Sequence, residues 1–230
     1  MAQTSHPQLL PLTPLQQLRA GRLALRLTNL MVGLTLFGVA MAVFVRAGLG
    51  QAPWDVLHYG LSTRLPLSIG TIIILVGLLV LLLWIPLKQW PGLGTIVNAV
   101  WIGVAADATL WLLPPIESLA WQVTAIAAAL VINGLGGALY IGAQFGPGPR
   151  DGLMTGVHLR TGLSMRLVRT VVEVSVLAIG WTLGGIFGVG TVAYALLIGP
   201  LTQFFLRWTV VDLSPARPET GPLPAVEPAR

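Results

Sequence analysis

A shift of 96 residues superposes this chain on itself without a gap, and that repeat constrains the fold more than any other feature. Gly50, Pro53, Asp55, Leu57, Gly60, Arg64, Leu67 and Ser68 fall on Gly146, Pro149, Asp151, Leu153, Gly156, Arg160, Leu163 and Ser164. Further on, Gly92, Gly94, Thr95, Ile102 and Gly103 fall on Gly188, Gly190, Thr191, Ile198 and Gly199. Earlier in each unit, Gly38 and Ala42 meet Gly134 and Ala138. A fixed period of this kind means that one structural unit has been built twice.

Each unit holds three apolar runs close to the roughly 18–20 residues that cross a bilayer core. The expected spans are 27–45, 69–87 and 93–113, then 123–143, 167–186 and 189–205. With 55% hydrophobic and only 9% charged residues, the chain has too few charges to cover a water-soluble domain. The first run is longer than a signal-peptide core, no A-x-A site follows it, and the repeat gives it an internal counterpart. It reads as a true first span. The expected organisation is a cytoplasmic tail at 1–26, whose first 18 residues read as mobile. Three-helix units at 27–114 and 115–213 follow, then a disordered cytoplasmic tail at 214–230, rich in Pro and Glu.

An odd number of spans per unit sets the second unit upside down relative to the first, an arrangement found in many secondary transporters. Basic residues test this independently, because short cytoplasmic loops carry excess Lys and Arg. With both termini inside, the cytoplasmic set is Arg19, Arg22, Arg26, Lys88, Arg150, Arg160, Arg166, Arg169, Arg207, Arg217 and Arg230. Only Arg46 and Arg64 fall outside. Trp84, Trp90, Trp111, Trp121 and Trp208 lie near span ends, as an aromatic belt requires. The expected fold is therefore all-α and integral to the bacterial inner membrane. It has six transmembrane helices as two inverted three-helix repeats, N-in and C-in.

The net charge of +5 does not indicate nucleic acid, since the basic residues sit at the ends of apolar runs and form no stripe. The absence of cysteine removes disulfides, thiolate catalysis and thiolate-bound metals. His58 and His158 have no histidine at the matching position of the other unit, so no metal site and no cofactor are expected.

Two paired loops are the most informative motifs. The first runs Gly50-Gln-Ala-Pro53-Trp54-Asp55, the second Gly146-Pro-Gly-Pro149-Arg150-Asp151. Proline suits the first turn of a helix, where its missing N–H has no partner to lose. An aspartate two residues later complements the positive helix N-terminus. Each loop thus starts a short helix, about 53–62 and 149–159, between the first two spans of its unit. Two readings stay open. Asp55 and Asp151 either cap helices lying at the surface, or head half-helices that dip toward a central site.

Within the spans, Asp107 and Glu173 are the acidic side chains at depth. Glu173 lies one turn after Arg169 and suits an intrahelical ion pair. Asp107 has no cation one turn away, and its repeat mate is Gln203. With Asn98, Asn133 and Tyr194 these residues furnish a polar interior. The expected solute or ion pathway comprises Asp55, Asp107, Asp151, Arg150, Asn98 and Gln203, with Pro53 and Pro149 as helix-start residues. Small-residue ladders at Gly134, Ala138 and Gly142 and at Gly180, Gly184 and Gly188 let helices approach closely.

These motifs together resemble the bacterial YczE/YyaS/YitT-type multi-pass membrane proteins, particularly the YczE-like branch. The resemblance rests on Gly48-Leu-Gly-Gln-Ala-Pro-Trp-Asp-Val-Leu57, Leu67-Ser-Ile-Gly-Thr71, Trp90-Pro-Gly-Leu-Gly-Thr95, Gly146-Pro-Gly-Pro-Arg-Asp-Gly-Leu-Met154 and Leu197-Ile-Gly-Pro-Leu201. It covers about residues 27–208 and implies a multi-pass membrane protein, with no catalytic residues to carry over.

The leading expectation is a small-solute transporter or permease with its site between the repeats. The alternative is a non-transporting component that assists or regulates a partner. An enzyme would need clustered acids, bases or metal ligands, which the spans do not supply. The expected surroundings are the lipid bilayer and a small solute, with a second copy or a partner membrane protein kept open.

Overall fold

The computed structural model describes residues 9, 10 and 12–213. Among them all regular structure is helical: α1 (Pro14–Arg19), α2 (Leu23–Ala47), α3 (Pro53–Ser62), α4 (Ile69–Leu87), α5 (Leu93–Leu112), α6 (Leu119–Gly142), α7 (Pro149–Thr161), α8 (Met165–Thr182) and α9 (Val189–Thr209). The starts of α2, α3, α4 and α5 recur, at the 96-residue offset, as the starts of α6, α7, α8 and α9.

Matching chemistry explains the matching starts. Pro53 and Pro149 open α3 and α7. Ser68 and Ser164 cap α4 and α8 by accepting from the N–H of Thr71 at 3.1 Å and of Leu167 at 3.3 Å. Such caps satisfy N–H groups that a helix cannot pair internally. Thr95 and Thr191 bond back to the N–H of Gly92 and Gly188 at the heads of α5 and α9.

Among the described residues, five helices are long and apolar enough to cross a membrane: α2, α4, α5, α6 and α9. Six spans were to be expected from the apolar runs, and α8 is the one that falls short. Arg166, Arg169 and Glu173 fall among its 18 residues. The first span of each unit also begins earlier than its apolar run, at Leu23 and Leu119, because helix continues into the polar flank.

The expectation of a wholly mobile stretch at 1–18 needs correcting. Thr13 and Gln16 form a reciprocal capping box, Pro14 sits in the first turn, and α1 folds against the bundle. Gln17 is buried there, and Leu10 donates its N–H to Gln144 Oε1 at 2.9 Å. Residues 1–8 and the expected tail at 214–230 lie outside the described residues.

The helices pack as two groups. α2 and α6 form the central pair, with α5 against α2 and α9 against α6. The second group crosses between units: α3 lies on α8, and α7 lies on α4. Close approach makes these crossings possible. Gly60 meets the Gly180 carbonyl, and its repeat mate Gly156 meets Leu87. The loop before each short helix is stapled to the other unit as well. Gly94 donates to the Phe145 carbonyl at 2.9 Å, and its mate Gly190 donates to the Leu49 carbonyl at 2.9 Å. Gly50 (φ 118°) and Gly146 (φ 103°) turn these loops through backbone angles that a side chain would strain.

The two groups are joined unequally. α4 packs along α5, whereas α8 makes no comparable contact with its counterpart α9.

Candidate functional site

Between the groups lies a cavity of about 430 Å³. Its lining includes six pairs of repeat-equivalent residues: Phe37 with Asn133, Ala52 with Gly148, Pro53 with Pro149, Trp54 with Arg150, Asn98 with Tyr194, and Ile102 with Ile198. The cavity therefore draws on equivalent positions of both units. Beyond these pairs the wall is drawn from the second unit and Leu9, including Tyr140, Asp151, Arg169, Glu173, Thr202 and Gln203.

The starts of α3 and α7 meet at this cavity, and neither aspartate caps its own helix through a side-chain hydrogen bond. Asp151 receives a long bond from the Tyr140 hydroxyl at 3.4 Å, while that hydroxyl accepts the Gly148 N–H at 2.6 Å. Tyr140 thus closes the α7 start in place of a capping side chain.

Asp55 lies buried behind the wall. Its Oδ1 is 3.5 Å from Arg150 Nη2 and 3.5 Å from His58 Nδ1. Arg150 reaches across from α7, with its guanidinium 5.2 Å from the centre of the Trp54 ring. The two units thereby exchange a charge contact at the cavity wall. The surrounding polarity is not saturated: the Gln51 amide, Trp54 Nε1, Asp55 Oδ1 and His58 Nδ1 are buried and lack a hydrogen-bond partner among the described residues. Buried polar groups are costly when unpaired, and they collect at functional sites. A smaller void of about 20 Å³ adjoins Trp54, His58, Asn98 and Arg150.

Of the residues expected from sequence, Pro53, Pro149, Asn98, Arg150, Asp151 and Gln203 come together on the cavity wall, with Asp55 held against Arg150. Asp107 does not join them. It accepts from Ser68 Oγ at 2.5 Å and from the Gly70 N–H at 2.8 Å, which ties the end of α5 to the start of α4. The Arg169–Glu173 pair forms at 2.9 Å as the spacing implies, but both residues also face the cavity.

Sequence reasoning overlooked His58 and Tyr140 as neighbours of the site. His58 follows Asp55 at i,i+3, a signal available in the sequence. Nothing local marks Tyr140, whose role depends on the turn that follows it.

The family profile of a family of unknown function, DUF6198, matches residues 24–207. The chain belongs to DUF6198. An uncharacterized protein of Haemophilus influenzae (strain Rd) is 38% identical over 178 residues, covering 77% of this chain and 82% of that relative. The uncharacterized membrane protein YczE of Bacillus subtilis (strain 168) is 34% identical over 191 residues, 82% of this chain and 88% of YczE. The uncharacterized protein YyaS of the same organism is 26% identical over 179 residues, 76% of this chain and 89% of YyaS. The resemblance read from the motifs is thus borne out. With several helices apolar enough to span a bilayer, this DUF6198 member is a membrane protein. No solved structure matches it.

Proposed function

We propose that the chain is a small-solute permease of the bacterial inner membrane. Its two units are inverted repeats, N-in and C-in, with α8 as a sixth, partly polar span and the cavity as the solute site. One observation carries the reading: a cavity with charged and amide side chains in its wall, flanked by both short-helix starts and lined by six repeat-equivalent pairs. A protein duplicated for packing alone has no need of Arg150, Asp151, Arg169, Asn98 and Asn133 around a void in its interior, because ionisable and polar groups at membrane depth are expensive even when they find partners. A site at the interface of inverted units, beside the N-termini of short helices, matches the arrangement in transporters of this architecture.

The test is flux. Proteoliposomes holding the purified chain should accumulate one or a few solutes from a complex metabolite pool, and Arg150→Gln should abolish that uptake. If no solute in the pool crosses faster than in empty vesicles, the permease reading fails and a partner-assisting role takes its place.

A further inference from the structure

We propose that Asp107 is the latch of an outer gate, and that Gln203 belongs to the matching inner gate, unlatched in this structure. The inference rests on the permease reading and adds how the cavity opens.

The observation is a difference between two seams that the repeat makes equivalent. In the first unit α4 and α5 are packed together, and a side chain at Gly103 would collide with the Gly70 carbonyl. Asp107 closes that seam by accepting from Ser68 Oγ and the Gly70 N–H. The carboxylate also faces the positive start of α4, which favours it there. In the second unit the same position is Gln203, and it lines the cavity. A side chain at Gly199, the mate of Gly103, would touch nothing. Among the described residues the side chain of Ser164, the mate of Ser68, bonds only its own helix.

The cavity follows this asymmetry. Beyond the repeat-equivalent pairs its wall includes Arg169 and Glu173 of α8, and Gly199, Thr202 and Gln203 of α9. In the proposed orientation these elements lie in the cytoplasmic half, so this is an inward-open form. The group α3, α4, α7 and α8 is held together by its own crossings, and it leans on the α2, α5, α6, α9 group mainly through α4 on α5. Rocking this group closes α8 on α9 and parts α4 from α5. Gln203 then reaches Ser164 as Asp107 now reaches Ser68. Arg166 stands where Gly70 would be, so the inner seam closes less tightly than the outer.

The absence of cysteine makes the test direct. Spin labels are placed at two equivalent, exposed pairs, Leu67 with Leu112 and Leu163 with Trp208, and distances are read in lipid nanodiscs. Asp107→Ala should lengthen the 67–112 distance and shorten the 163–208 distance together, raising the ratio of outward-open to inward-open form about 10²- to 10⁴-fold, the loss expected for two hydrogen bonds to a charged group. Gln203→Asp, which leaves the outer seam untouched, should shorten the 163–208 distance. Distances unchanged by both substitutions, or both pairs lengthening at once, would overturn the latch. Exchange of distances without flux leaves the gate standing and removes the permease. Flux with fixed distances does the reverse.

Discussion

Replacing Arg26 with alanine should unfold the end of the bundle that carries α1 well before the rest. Arg26 is fully buried near the start of α2. Its guanidinium donates to the Ala143 carbonyl at 2.8 Å, the Gln144 carbonyl at 2.8 Å and the Gln17 carbonyl at 2.5 Å. It also lies 4.1 Å from the centre of the Phe145 ring. Hydrogen bonds from a charged donor are each worth about 1.5–3 kcal/mol, so three sum to roughly 5–9 kcal/mol. Water can reach the vacated carbonyls at this end of the bundle, which brings the expected loss to about 3–5 kcal/mol. For a chain of this size that corresponds to a fall in melting temperature of roughly 6–20 °C. Tryptophan fluorescence in detergent follows the transition, and limited proteolysis reports release of the segment pinned through Gln17. Arg26→Lys keeps the charge without the planar fork and should fall between. Phe145→Leu, which removes only the ring contact, should cost less than Arg26→Ala. A melting temperature for Arg26→Ala within about 2 °C of the parent would refute the assignment of Arg26 as the clamp of this end.

Gly152→Ala puts a methyl group into the indole of Trp84, whose Nε1 donates to the Pro149 carbonyl at 3.0 Å; overpacking of about 1–3 kcal/mol should appear as a lower melting temperature. Asp55→Asn should leave expression and melting close to the parent while uptake falls, because the carboxylate makes no cap bond to lose and serves Arg150 and His58 instead; equal loss of stability and uptake would assign it to the scaffold. Reporter fusions should place the 150–166 segment in the cytoplasm and the 46–64 segment outside, and the same side for both would end the inverted arrangement.

Much of the architecture was legible because the repeat supplies two readings of every helix. Pro53, Ser68 and Gly92 each mark a boundary whose counterpart repeats the chemistry, and α4 spans the residues its apolar run implies. The polar wall was partly legible too, since Asn98, Arg150, Asp151 and Gln203 are polar residues in or beside apolar runs. What escaped depends on contacts made across the units. Arg26 reads as one more topological charge until the carbonyls of residues 143 and 144 turn toward it. Asp107 reads as a pathway residue because sequence shows its depth and its lack of a cation, but not that Ser68 and Gly70 come within reach. The order in α1 rests on docking against the 143–147 turn, which no local pattern announces.

The reciprocal staples from Gly94 to Phe145 and from Gly190 to Leu49 bear on how such a chain is made. While only the first unit has left the ribosome, the head of α5 lacks its acceptor and the face of α4 that receives α7 stands bare. Both are supplied by residues still to be translated. The first half must therefore wait, inserted but unfinished, until the second threads through it. A lone copy of the unit would face the same need, met only by another copy. An ancestor of half this length would then have needed a second copy to complete its packing, and fusion would have joined the two in one polypeptide.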